Sequence, residues 1–133
     1  MATINTRVIL SGQGVTTDTL SVDLTTIMTV ESPTVQSGAL AVPAVAGPAI
    51  VIPGFPGTAD QDKTQVLYLK NTDVPATESF NVLAEHATAA TQSIFCTLGP
   101  GEWMCLPVSS LTEIALLGTA NATTCEYGFW ALT

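Results

Sequence analysis

A chain of 133 residues has the size of one domain, and with 3 basic against 11 acidic residues it carries a formal charge of −8. At that length a core forms without disulfide or metal staples, about two-thirds of the unfolded surface being buried; with so few Lys and Arg, phosphate neutralisation and hence nucleic-acid binding is close to excluded. Charged residues make up 11 % of the chain, against about 25 % in ordinary soluble domains, a balance more typical of adhesins, secreted β-domains and virus-particle proteins than of cytosolic enzymes.

Taken in chain order, the opening MATINTRVILSGQGV has no apolar core of signal-peptide length, being interrupted at Asn5, Thr6 and Arg7, and reads as no secretory signal. Residues 7–10 read as a short strand, with Ser11-Gly12-Gln13-Gly14 as the turn after it. Residues 20–30 give the clearest period of two. Leu20, Val22, Leu24, Met28 and Val30 share one face and Ser21, Asp23, Thr25, Thr29 and Glu31 the other, with Ile27 the exception. That pattern predicts a half-buried strand with one face on a core and one in water.

No charge occurs from Ser32 to Ala59. A run of about 20 apolar residues spans a bilayer as a helix, but Pro33, Pro43, Pro48, Pro53 and Pro56, with Gly38, Gly47, Gly54 and Gly57, exclude one here. The segment 32–59 is expected to be an extended arm, or loops and short edge strands, packed on its own domain, a sister subunit or a larger surface. Val42, Pro43, Val45, Ile50, Val51, Ile52 and Phe55 are its candidate subunit or capsid contacts.

Further on, residues 65–71 alternate Val66 and Tyr68 against Leu67 and Leu69, which predicts a central strand covered on both faces. Asn71-Thr72-Asp73-Val74-Pro75 is a turn in which Asn and Asp fold back onto the backbone. Residues 79–84 form another strand, and 86–92 is the one place open to a helical turn or a loop. A meander of strands follows at 93–98, 102–108, 111–117 and 124–132, separated by Gly99-Pro100-Gly101, Ser109-Ser110 and a loop over 118–123. Short strands at this spacing predict an all-β, antiparallel sandwich, jelly-roll-like, forming a single domain over 1–133; strand order stays open between a Greek-key sandwich and an up-and-down barrel. Phe95, Trp103, Tyr127, Phe129 and Trp130 place most of the core in the carboxy-terminal half, with Trp130 out of phase with its neighbours.

Chemistry is sparse. His86 is the only histidine and has no neighbouring nucleophile motif, so neither a Ser nor a Cys triad is expected. Asp60 and Asp62 have the spacing of a calcium loop without its later acceptors. Gly99-Pro100-Gly101 resembles a phosphate loop only until the missing Lys and the proline are counted. Asn121-Ala122-Thr123 matches a glycosylation sequon, a chance match without a secretory route. Cys96, Cys105 and Cys125 show no metal spacing; three buried thiols are expected, a Cys96–Cys105 bridge being the alternative. No enzyme activity, cofactor, metal or membrane span is expected.

From residue 66 to 130 the pattern is more specific: a strand ending Tyr68-Leu69-Lys70-Asn71, the hairpin TLGPGEWMCLPVS at 97–109, and a closing CEYGFWAL at 125–132. This resembles small β-sandwich virion structural proteins of tailed bacteriophages. The resemblance implies a capsid decoration or cement protein, often a homotrimer, that binds the major capsid protein or another virion protein and stabilises the head. It also implies a virion assembled in the bacterial host cytoplasm. A tail, neck or fibre component is the alternative within that group, and a glycan-binding sandwich using Trp103 or Trp130 the alternative outside it.

Overall fold

The computed structural model describes residues 2–12, 20–30, 36–55, 64–73, 77–86, 92–108 and 112–131, which form ten strands. They are β1 Ala2–Gly12, β2 Leu20–Val30, β3 Gln36–Val42, β4 Ile50–Val51, β5 Gln65–Asn71, β6 Phe80–His86, β7 Gln92–Leu98, β8 Trp103–Val108, β9 Thr112–Gly118 and β10 Thr123–Ala131. No helix occurs among the described residues, so none there is long and apolar enough to cross a membrane.

Eight of these strands make two four-stranded antiparallel sheets, ordered β3-β10-β5-β8 and β4-β9-β6-β7. The pairings are nested: β3 with β10, β4 with β9, β5 with β8 and β6 with β7, as in one long ribbon folded over on itself. Two further pairings, β5 with β10 and β6 with β9, close the ribbon into sheets. Two packed sheets with this strand order are a jelly roll. The all-β antiparallel sandwich is therefore the fold, and the topology left open by the sequence is the jelly-roll one.

Alternation along β5 and β10 sends Leu67, Leu69, Cys125 and Phe129 inward, where they meet Phe80 and Val82 of β6 and Ile114 and Leu116 of β9. Within the 32–59 segment, the described residues 36–55 take the edge-strand form of its expectation. They supply β3 and β4, each at a sheet edge, and bury Val42, Ile52 and Phe55 in the same core. Phe55 meets Phe129 edge to face with ring centroids 5.2 Å apart. The core is thus shared between both halves of the chain: Phe95 and Trp103, expected within it, are exposed, while Tyr127 packs against its margin.

Two turns in this frame use the same chemistry. In Ile52-Pro53-Gly54-Phe55 and Gly99-Pro100-Gly101-Glu102 the fourth amide donates to the first carbonyl, at 3.2 and 3.0 Å, and the third residue is a glycine at φ 76° and 75°. Proline second and a left-handed glycine third is the type II turn, which a side chain at the third position would strain.

The remaining strands, β1 and β2, pair with each other over their full 11-residue length and form a sheet of their own. At Leu24 this corrects the expectation of a half-buried strand over residues 20–30. Leu24, on the face expected to meet a core, is 61 % exposed, because neither four-stranded sheet extends to β2. Residues 87–91, the possible helical turn, and Asp60 and Asp62 lie outside the described residues, as do parts of the predicted turns at 11–14, 71–75 and 109–110.

Candidate interaction surface

At one end of the sandwich a buried asparagine gathers the loops. Asn71 closes β5 and is fully buried. Its amide donates to the Glu102 carbonyl at 2.9 Å, and its carbonyl accepts from Gly101 at 3.0 Å. Its side-chain nitrogen donates to the carbonyls of Glu78 (2.8 Å) and Leu98 (3.1 Å), and its Oδ1 accepts from the Asp73 amide (3.0 Å) and the Thr123 hydroxyl (3.3 Å). Only a side chain with both a donor and an acceptor end can serve all these partners. The predicted Asx turn at 71–73 is present in the Asp73 contact, but the larger role rests on residues up to 52 positions away and has no local signal.

Around it, Asp73 Oδ2 accepts from the Glu78 amide at 3.0 Å, and Glu78 in turn accepts from Asn121 through both its side chain (2.7 Å) and its amide (3.3 Å). The sequon residues Asn121 and Thr123 are thus engaged in this network, with Thr123 buried. Gly118 fits beneath it only because it lacks a side chain: a Cβ there would stand 2.8 Å from the Pro43 carbonyl oxygen and closer still to that of Asn121.

The seven candidate contact residues divide by burial. Val42, Ile52 and Phe55 are committed to the chain's own core, so their side chains have no surface to offer a partner in this fold. Pro43 and Ile50 are half-buried, the first accepting from the Gly118 amide at 2.8 Å and the second packing on the core. Val45 and Val51 are exposed, at 54 % and 38 %. The structure therefore divides the set between the core and the surface.

A surface that sequence reasoning missed lies where edge strands β7 and β8 face each other across the two sheets. The register of β7 against β6 runs Cys96 to Val82 and then Ile94 to Leu83, so Phe95 is an extra residue with no partner. Such a bulge bends a strand and re-aims its side chain. Phe95 and Ile94 are both exposed, and Phe95 lines a cavity of about 280 Å³ with Leu67, Val82, Met104, Leu106 and Ile114. Period two gives no warning of a bulge, since the phase changes only once the pairing partner is known.

All three cysteines are free, with no Cys96–Cys105 bridge, and of the three thiols expected to be buried only Cys125 is. Cys125 is fully buried, and desolvation pushes its thiol up to about 12. Cys96 and Cys105 are half-buried and raised by the same cause, with Cys96 Sγ 3.5 Å from Met104 Sδ. Burial that raises a thiol's pKa removes the thiolate on which nucleophilic or metal-binding chemistry depends.

Of the two tryptophans, Trp103 is 56 % exposed on edge strand β8, whereas Trp130 is half-buried on the outer face of its sheet. Its Nε1 and the Nε2 of the nearby Gln65 are buried polar atoms with no partner. Among the described residues no group of His, Cys, Asp and Glu is placed to hold a metal ion.

No protein-family model matches the chain, and no curated protein matches it significantly. Among solved structures, the chain is similar to one from the work described as "Bacillus endospore appendages form a novel family of disulfide-linked pili", at 20 % identity and a TM-score of 0.47, covering 74 % of this chain and 88 % of that one.

Proposed function

We propose that this chain is a non-enzymatic structural subunit of an assembled particle, and in particular a bacteriophage decoration or cement protein that binds the finished head and stiffens it by bridging capsid subunits. The observation that carries the reading is the apolar edge at β7 and β8, where exposed Ile94 and Phe95 flank an apolar cavity. A domain that has already buried a complete core gains nothing in water from such an edge, but can desolvate it against another protein. The virion setting rests on the sequence resemblance, and a homotrimer is the oligomer it implies. Free thiols accord with assembly in a reducing cytoplasm.

The test is mass-resolved sizing of the purified protein, then co-sedimentation with whole virions and with isolated heads. Saturable binding to heads, lost in Phe95→Asp, is the expected result. Binding to tails alone would move the protein to a tail, neck or fibre, and binding to neither would overturn the virion reading. A second reading, a glycan-binding module, is favoured by the exposure of Trp103, since an exposed indole is the platform on which sugars stack. Trp103 fluorescence that changes on titration with capsular or cell-wall glycans would support that reading over the first.

A further inference from the structure

Strand alternation gives the β1–β2 hairpin two unlike faces. In register, Ala2 pairs with Val30, Ile4 with Met28, Val8 with Leu24 and Leu10 with Val22, so these positions fall on one face and make it almost wholly apolar. Arg7 and Asp23 fall on the other, joined by a two-pronged ion pair with contacts of 2.7 and 3.0 Å, beside exposed Asn5 and Thr25. That face also carries Ile9 and Ile27, both exposed, but is otherwise polar and keeps its ion pair in water. On the apolar face Leu24 is 61 % exposed. A two-stranded hairpin is at best marginally stable alone in water, and this one has no backbone pairing to either sheet of the sandwich.

We infer that the apolar face of β1–β2 is a self-association surface whose partner is the same face of a second copy of this chain. This rests on the reading of the protein as an assembling subunit; a face that meets its own copy joins chains in pairs, so it is a contact apart from the three-fold one of a homotrimer and from the edge that meets the capsid.

Charge selects the partner. Residues 1–30 hold Arg7, Asp18 and Asp23, a net of −1, so the remaining residues carry −7 of the total −8. Two copies of a strongly acidic chain approach with least repulsion through this nearly neutral part. A basic partner would instead be drawn to the acidic remainder. Size agrees: strands of 11 residues rise about 3.4 Å per residue and lie about 4.8 Å apart, so each face has a flat footprint of roughly 350 Å² before side-chain relief is counted. Two such faces together make roughly 700 Å² in flat projection, and the relief of their side chains adds to this toward the about 1,000 Å² of accessible surface that marks the low end of specific interfaces. Packed face to face they would bury their apolar positions and leave both ion pairs in water.

The experiment uses the full chain in sedimentation equilibrium over a range of concentrations, comparing wild type with Leu24→Lys and, on the opposite face, Thr25→Lys. The expected result is at least a tenfold weakening of self-association in Leu24→Lys, none in Thr25→Lys, and an unchanged thermal midpoint in both. Because a lysine at position 24 could unpair the hairpin itself, Leu24→Cys and Thr25→Cys are also compared with a short thiol cross-linker against the background of the native cysteines. Intermolecular cross-linking through position 24 and not 25 is expected. A wild-type chain that stays monomeric, or an oligomer indifferent to Leu24→Lys with no cross-link at 24, overturns the inference. Head binding is scored separately through Phe95→Asp, so failure here and failure of the capsid reading are told apart.

Discussion

The sandwich and the hairpin are built from the same alphabet of Val, Leu, Ile and Thr in alternation, yet one closes on itself and the other does not. In the sandwich, Leu67 and Leu69 of β5 lie under Phe80 and Leu116 of the facing sheet, and all are buried. In the hairpin, Leu24, Ile9 and Ile27 are 59–67 % exposed. The difference lies in long-range pairing: β5 is flanked by β10 and β8 in its sheet and faced by a second sheet, whereas β2 has β1 alone. Period two reports that a strand has two faces. What covers either face is decided elsewhere in the chain.

The comparison breaks most visibly through the sandwich core. Phe80→Ala removes a fully buried ring between the sheets and is expected to cost about 3–5 kcal/mol, read as a fall in the denaturation midpoint, while the hairpin pairing is untouched. Next, Asn71→Leu keeps the volume but deletes every side-chain hydrogen bond at the hub, stranding the Leu98 carbonyl and the Thr123 hydroxyl. A loss of about 2–4 kcal/mol is expected from the same measurement.

A smaller effect is set by pH. The Cys125 thiol has a folded pKa of about 12 against an ordinary 9.0, so between those values the unfolded chain releases a proton that the folded chain retains. The stabilisation is complete below pH 9 and is lost as pH rises toward about 12. Denaturation midpoints across that range should fall, and should fall less steeply in Cys125→Ala. The smallest effect is expected for Arg7→Ala. Its ion pair with Asp23 is exposed on both sides and raises the Arg7 pKa while lowering that of Asp23. Such pairs are screened by water and salt, so the sandwich midpoint should not move.

Much of the fold was legible because its strands are punctuated. Gly99-Pro100-Gly101 announces its own turn, and residues 65–71 announce a doubly covered strand by losing the polar phase. Segment 32–59 resisted because β4 is a strand of only 2 residues, and prolines around it look alike whether they lie in an arm or at a sheet edge. Strand order resisted for another reason: each nested pair beyond β6–β7 joins strands separated by other strands, and alternation within a strand says nothing about which distant strand it meets. The candidate surface was the least legible part. Val42, Ile52 and Phe55 are apolar enough for a contact and apolar enough for a core, and only the fold distinguishes the two. Phe95 had the opposite fate, turned outward by a bulge that no residue of β7 signals alone.

Placing β10 between β3 and β5 also orders events in time. The first strand of the sandwich finds its hydrogen-bonding neighbour only in the last, across nearly the whole domain. Chains dominated by such distant pairings fold slowly, since loop closure must precede the contacts that reward it. On the ribosome, β5 waits likewise for β8 and β10, so its apolar face stays open until the closing strand emerges. The interval before that strand arrives is when this chain is most exposed to aggregation, and removal of Thr123–Ala131 would make that exposure permanent.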